Sequence, residues 1–103
     1  MKNRDVLYDR NQAFTYVTLG PKNVHLKCML DTGSQVNVIP LGTFKQLGIA
    51  DQLNPSSELF GYAGSPLSTV GSCKLAVSVG DQTYDTYFHI VDPKGRHAPP
   101  ILG

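Results

Sequence analysis

The residues that decide how this chain is interpreted lie at positions 29–40 and read MLDTGSQVNVIP. A single carboxylate, Asp31, follows a short apolar run, and a glycine comes two residues after it. The apolar residues on both sides of Asp31 indicate a half-buried carboxyl group. A lone carboxylate in such a place is costly, whereas two carboxylates that share one proton form a working acid–base pair. Taken alone, however, Asp-Thr-Gly is also ordinary turn chemistry, so the tripeptide leaves a plain turn open.

On the N-terminal side of this stretch, the sequence has the pattern of a β-hairpin. Residues 13–19 are rich in β-branched and aromatic side chains, which favour strands. Residues 24–30 alternate between apolar and polar side chains, and the two runs are separated by a Gly-Pro-Lys-Asn cluster at 20–23 that is typical of a turn. We therefore predict two antiparallel strands, the second of which leads directly into Asp31.

On the C-terminal side, the sequence favours one short helix. Pro40 suits the first helical position, because its missing N–H needs no partner there. Leu41, Phe44 and Leu47 follow at helical spacing, and Gly48 is a typical residue for the end of a helix. A helix of barely two turns must be held by packing rather than by its own propensity.

The second half of the chain returns to strands and turns. Three further strands are predicted, beginning at 57–60 and continuing at 70–79 and 84–90. A glycine-rich tip lies at 61–66, and the sequence ends in the apolar-apolar-glycine triplet at 101–103. At least five strands and one short helix predict a mostly-β domain.

Composition limits the function classes. The 103 residues suffice for one domain, and 41% hydrophobic with 17% charged residues is a globular balance. The net charge of +1 provides no basic field, so no nucleic-acid partner is expected. We expect no membrane partner either, since the chain lacks an apolar run of ~18 residues and the N-terminus lacks the apolar core of a signal peptide. Polar residues 1–12 are interpreted as an N-terminal arm or tag-like segment, and 13–103 as the single domain.

The cysteines and histidines point to neither a metal nor a nucleophile. Cys28 and Cys73 form no CxxC pair and have no histidine at zinc-like spacing, so no metal or other cofactor is expected. Two buried free thiols are the favoured interpretation, and a disulfide remains the alternative. His25, His89 and His97 form no catalytic set with a serine or cysteine nucleophile.

Three segments together resemble a known family. Residues 30–40, the glycine-rich Gly61-Tyr62-Ala63-Gly64 and the terminal 99–103 are similar, in order and spacing, to retropepsins. These are the single-domain aspartic proteases of retroviruses and long-terminal-repeat retrotransposons, and the likeness is strongest to the Gypsy class. The resemblance implies an all-β, single-lobe retropepsin-like (acid protease) β-barrel with one short helix and a flap hairpin. Retropepsins usually continue into a C-terminal helix and strand, which we expect to be missing after Gly103. Either the dimer is then weaker, or the sequence is a piece of a longer protein.

The resemblance also implies an activity and a site. It predicts an aspartic endopeptidase that processes a Gag-Pol-type polyprotein in the cytoplasmic particle of a retroelement. The catalytic motif would be Asp31, Thr32 and Gly33, with Asp31 paired to its copy in a homodimer. The expected peptide contacts are made by Ser34, Gln35, Val38, Tyr62, Ala63, Gly64 and Ile101. For Val38 and Ile101 an ordinary core position stays open, as does a plain exposed loop for Gln35. The alternative function is a catalytically weak or inactive module that dimerises or binds peptides.

Overall fold

The structure is a computed structural model that describes residues 7–9, 12–31, 36–56, 59–62, 65–93 and 99–103 of the 103-residue chain. Its elements, in chain order, are β1 (Leu7–Asp9), β2 (Gln12–Leu19), β3 (Val24–Leu30), β4 (Asn37–Pro40), α1 (Leu41–Gln46), a single 3-10 turn (Ala50–Gln52), β5 (Asn54–Pro55), β6 (Leu59–Tyr62), β7 (Ser65–Val79), β8 (Gln82–Val91) and β9 (Ile101–Leu102).

The described strands form a sheet that closes on itself. Their order is β1-β2-β3-β9-β4-β8-β7-β5, and β6 pairs only with β7. Because β2 also pairs with β7, at Thr18↔Ser78 and Leu19↔Val77, the strands from β2 round to β7 make a barrel. This confirms the prediction of an all-β barrel with one short helix.

The predicted hairpin around residues 20–23 is confirmed. β2 and β3 pair antiparallel from Ala13↔Leu30 to Leu19↔Val24. The turn between them takes positive φ at Gly20 (75°) and Asn23 (52°), two residue types that tolerate this conformation. The N–H of Asn23 donates to the carbonyl of Gly20 at 3.2 Å and tightens the turn. Upstream, Leu7–Asp9 pair with β2, while the predicted segment boundary at residue 12 stays a prediction.

The helix begins one residue later than the sequence predicts. Pro40 ends β4 and caps α1 with an extended ψ of 146°, so it is not the first helical residue. The reason is that Pro40 still pairs with Val91 in the parallel ladder of β4 and β8. Phe44 and Leu47 are buried as the helical spacing requires, and Gly48 ends the helix with a φ of 71°.

The predicted tip at 61–66 is narrower than the sequence indicates. Gly61 pairs with Pro66, and Tyr62 pairs with Ser65, so β6 and β7 reach further toward the end of their hairpin. The structure does not describe residues 63 and 64, which join the two strands. The strand predicted from residue 57 is described from Leu59 onward.

Alternation along the strands produces two apolar groups among the described residues. The main core contains buried side chains from β2, β3, β4, α1, the residues just after α1, β7, β8 and β9: Val17, Leu19, Cys28, Ile39, Phe44, Leu47, Ile49, Cys73, Leu75, Val77, Phe88, Ile90 and Leu102. A second group, the small cluster, consists of Val38, Val91 and Ile101, with Met29 and Val36 packed against it. Neighbours in sequence, such as Val38 and Ile39, belong to different groups because successive strand side chains point to opposite faces.

A β-bulge at Val70 lets β7 serve both groups. Gly71 pairs with Ile90 of the main core, whereas Thr69 pairs with Val91 of the small cluster. In an unbroken strand, residues 69 and 71 would share a face; the extra residue between them turns Thr69 to the other side. Thr69 is 3% exposed there, so the bulge directs a hydroxyl into the small-cluster side of the sheet.

Both cysteines are buried free thiols, which confirms the favoured sequence interpretation. Burial raises the pKa of the Cys28 thiol from 9.0 to about 12, because an apolar surrounding disfavours the thiolate. Burial also raises the pKa of Cys73. Raised pKa values keep both thiols in the neutral form, which is not the nucleophilic one.

Candidate active site

Asp31 lies at the end of β3, where a second strand holds the backbone. β9 runs parallel to β3 and pairs Met29 with Ile101 and Leu30 with Leu102. The N–H of Met29 donates to the carbonyl of Pro100 at 2.8 Å, and the N–H of Asp31 donates to the carbonyl of Leu102 at 3.0 Å. The half-buried Asp31 therefore sits on a backbone that is fixed by hydrogen bonds up to the residue itself.

The segment that follows Asp31 connects β3 to β4, two strands that are not neighbours in the sheet. β9 lies between β3 and β4 in the sheet and pairs with β4 at Val38↔Ile101. Residues 32–35 of this segment lie outside the described residues. The predicted roles of Thr32, Gly33, Ser34 and Gln35 stay predictions for that reason.

The face of the sheet on which Asp31 stands is the face of the small cluster. Met29 packs against that cluster, and Asp31, two residues further along the chain, continues the alternation on the same side. The structure thus brings Val38 and Ile101, which are 63 positions apart in sequence (101 less 38), together on the same face of the sheet as Asp31. They are 2% and 4% exposed, so in the single chain they are packing residues, and their predicted contact with a peptide stays a prediction.

The hairpin predicted as a flap is present, and its root adjoins the small cluster. Ser56 Oγ lies 3.1 Å from Thr69 Oγ1, and the Ser56 N–H donates to the carbonyl of Val70 at 3.3 Å. Thr69 in turn pairs with Val91 of the small cluster. Tyr62 takes part in the last described pair of the hairpin, while Ala63 and Gly64, also predicted to contact the peptide, lie outside the described residues.

Sequence reasoning missed Asn37, the residue that opens β4. Its side-chain oxygen accepts a hydrogen bond from the N–H of Gly103 at 3.1 Å. Its side-chain nitrogen donates to Thr86 Oγ1 and to the carbonyl of Tyr87, each at 3.1 Å. The available signal was a polar residue within the otherwise apolar run VNVI, which predicts a side chain that has its own hydrogen-bond partners.

The described part of the chain contains no cluster of side chains that could bind a metal ion. No three His, Cys, Asp or Glu side chains come together there as metal ligands. The His25 ring stacks on Tyr16 on the outer surface, with ring centroids 5.3 Å apart. Within the same residues, no helix has the length and apolar character needed to cross a membrane.

A closed β-barrel, a carboxylate at a strand end held by a parallel partner strand, and a long hairpin beside it together define a retropepsin-like fold. Comparison with solved structures agrees. The EIAV protease complexed with the inhibitor HBY-793 superposes with a TM-score of 0.71 and 20% sequence identity, over 95% of this chain and 88% of that chain. A retropepsin-like aspartic protease from Rickettsia conorii superposes with a TM-score of 0.67 and 19% identity, over 95% of this chain and 72% of that chain.

By sequence, no family model matches the chain, and no curated protein matches it. At identities near one in five, the structural likeness establishes the fold. The all-β retropepsin-like architecture is therefore a property of this chain, whereas activity must be argued from the site.

Proposed function

We propose that this protein is an aspartic endopeptidase that acts as a homodimer. The observation that carries the proposal is the placement of Asp31, half-buried at the end of β3 and beside the small cluster, in a fold whose solved neighbours are aspartic proteases. An extended peptide laid across this face would meet Met29 and Val36, the partly buried apolar side chains that pack against the small cluster, next to a carboxylate. Such a surface suits apolar side chains on either side of the bond to be cleaved.

The proposed chemistry needs a second carboxylate, which a second copy of the chain supplies. Asp31 is the only aspartate in the sequence that is followed by Thr-Gly or Ser-Gly. A twofold axis beside it would set Asp31 of one protomer against Asp31 of its partner, since a symmetric dimer repeats each residue across the axis. The two carboxyl groups would then share one proton, because like charges a few Å apart cannot both ionise at modest cost.

Hydrolysis then follows from the shared proton. The ionised carboxylate takes a proton from a water molecule between the two groups, and the protonated one donates to the oxygen of the scissile carbonyl. Water attacks the carbonyl carbon, a tetrahedral gem-diol forms, and the leaving nitrogen is protonated as the C–N bond breaks. The hairpin of β6 and β7 would close over the peptide and keep bulk water out.

The finer assignment rests on the sequence resemblance. It favours a retroelement protease of the Gypsy class that cuts extended segments of a Gag-Pol-type polyprotein in a cytoplasmic particle. The second candidate is a catalytically weak or inactive module that dimerises or binds peptides. The observation in its favour is that one chain supplies a single motif carboxylate, so a protomer that does not dimerise is inactive.

The deciding experiment is cleavage of a peptide library between about pH 4 and 6, where a carboxyl pair keeps its one proton. Wild type should cleave, Asp31→Asn should lose cleavage, and Asp51→Asn, which alters an exposed aspartate of the 3-10 turn, should keep it. Equal cleavage by wild type and Asp31→Asn would remove the proposed catalyst. Sedimentation over a range of protein concentrations gives the second readout, and a strictly monomeric active species would contradict the shared pair.

A further inference from the structure

The peptide group between Leu102 and Gly103 is hydrogen-bonded both to Asp31, at the end of β3, and to Asn37, at the start of β4. The carbonyl of Leu102 accepts the hydrogen bond from the Asp31 N–H at 3.0 Å. The N–H of the same peptide group, that of Gly103, donates to Asn37 Oδ1 at 3.1 Å. Asp31 follows β3, and Asn37 begins β4. Because a peptide group is rigid and planar, its two hydrogen bonds fix the position of Asp31 relative to Asn37.

The side chain of Asn37 is held in one orientation by its partners. A backbone N–H must meet its oxygen, and a carbonyl must meet its nitrogen. Gly103 supplies the N–H, and Tyr87 supplies the carbonyl 3.1 Å from Nδ2, with Thr86 Oγ1 at 3.1 Å as a second acceptor. The half-buried side-chain amide of Asn37, at the start of β4, therefore links β8 to the residue that follows β9 through hydrogen bonds.

We propose that Asn37 is a positioning residue for Asp31. β9 has only two residues, so it has few backbone hydrogen bonds of its own and depends on side-chain support at its end. Removing the Asn37 amide leaves the Gly103 N–H without this acceptor and loosens the peptide group whose carbonyl holds Asp31. The inference rests on the proposed function in so far as Asp31 is the catalytic carboxylate.

The first test separates positioning from general stability. Asn37→Ala should lower kcat by about 10-fold or more with little change in KM, because small displacements of a reacting group cost rate. The matched control is Thr83→Val, which removes the Ser78–Thr83 side-chain hydrogen bond of 2.8 Å at the far end of β7 and β8. The control should keep wild-type kcat. An equal loss of kcat in both variants, or no loss in Asn37→Ala, overturns the proposal.

A graded variant gives the test a second arm. Asn37→Asp keeps an oxygen opposite the Gly103 N–H but loses the donor toward the Tyr87 carbonyl. The kcat of Asn37→Asp should lie between those of wild type and Asn37→Ala. If the alanine variant does not fold, a kcat of Asn37→Asp below that of wild type tests the proposal instead. A kcat for Asn37→Asp as low as that of Asn37→Ala would show that the oxygen opposite the Gly103 N–H does not position Asp31, and would count against the proposal.

Amide hydrogen exchange tests the same proposal without relying on catalysis. In Asn37→Ala, the amide protons of Asp31 and Gly103 should exchange at least about 10-fold faster, while Thr83→Val leaves them unchanged. If wild type cleaves no peptide, the proposed function fails, and this exchange measurement still decides the positioning role. Unchanged protection of Asp31 in Asn37→Ala would overturn it.

Discussion

The main core and the small cluster occupy opposite faces of the same strands, yet they differ greatly in size. Among the described residues the main core has thirteen buried members, and the small cluster has three. In β9, Leu102 belongs to the first and Ile101 to the second. The larger group buries enough apolar area to hold a barrel together, whereas the smaller one cannot do so alone.

The difference in size indicates that the main core provides most of the stability, whereas the face of the small cluster carries the proposed function. The small cluster shares its face with Asp31, so on the proposed function a peptide and a second protomer would cover Met29 and Val36, the partly buried side chains packed against that cluster. The main core is already complete within one chain. Substitutions in the two groups should therefore differ in their effects on stability and on peptide binding, and four experiments test this difference.

The largest expected effect is in the main core. Phe88 is fully buried in β8, so Phe88→Ala should lower the free energy of unfolding by about 3–5 kcal/mol through lost apolar contact and a new cavity. Tyr84→Ala, at a 47% exposed position of the same strand, should change it by no more than about 1 kcal/mol. Urea unfolding followed by circular dichroism measures both. Similar losses for the two variants would show that the main core does not carry the fold.

The bulge that divides the two groups gives the next effect. A Cβ on Gly71 would collide with the backbone carbonyl oxygen of Asn54 and come within 2.7 Å of Leu53 Cδ1. Gly71→Ala should therefore cost about 3 kcal/mol, at the upper end of overpacking. In Gly42→Ala the new Cβ meets nothing within 4 Å on α1, so this variant should gain up to about 1 kcal/mol from helix propensity. Thermal unfolding of the pair should show shifts of opposite sign, and two shifts of the same sign would contradict the close approach of β5 and β7.

A matched pair of valines compares the groups directly. Val38→Ala and Val77→Ala each remove two buried methyl groups and should each cost about 2 kcal/mol of stability. Only Val38→Ala should also raise the KM for peptide substrates, because Met29 and Val36, the partly buried side chains that a peptide would meet, pack against the small cluster that contains Val38. Stability comes from urea unfolding, and KM comes from initial rates with one peptide. Equal KM changes in both variants would mean that the small cluster has no separate role in binding.

The smallest effect concerns the Cys28 thiol and high pH. Folding raises its pKa from 9.0 to about 12, so the folded protein keeps the thiol neutral while the unfolded chain ionises above pH 9. The thiol's contribution to stability is complete below pH 9 and is lost as the pH rises toward 12, at about 1 kcal/mol per pH unit. Urea unfolding at pH 7, 9 and 10 measures the free energy of unfolding of wild type and Cys28→Ala. From pH 9 to pH 10, wild type should lose about 1 kcal/mol of stability relative to the alanine variant. If the difference in stability between the two proteins is the same at all three pH values, burial does not raise the pKa of the Cys28 thiol.

Local patterns predicted much of the fold. The alternation at 24–30 and the β-branched run at 13–19 gave the β2–β3 hairpin, and the spacing of Phe44 and Leu47 gave the buried face of α1. They did not give the boundary at Pro40, because a parallel ladder with Val91 keeps that residue extended. Nor did they give the role of Asn37, whose partners Thr86 and Gly103 lie 49 and 66 residues away along the chain.

Patterns in the amino-acid sequence predicted five of the strands, favoured two buried thiols, and placed one aspartate in an unusual apolar setting. Two features depend on the folded chain as a whole: Ile101 and Leu102 insert between β3 and β4, and β7 changes face at Val70. A two-residue strand and a one-residue bulge carry no periodicity of their own. Their positions follow from which distant backbone groups remain to be hydrogen-bonded once the barrel closes.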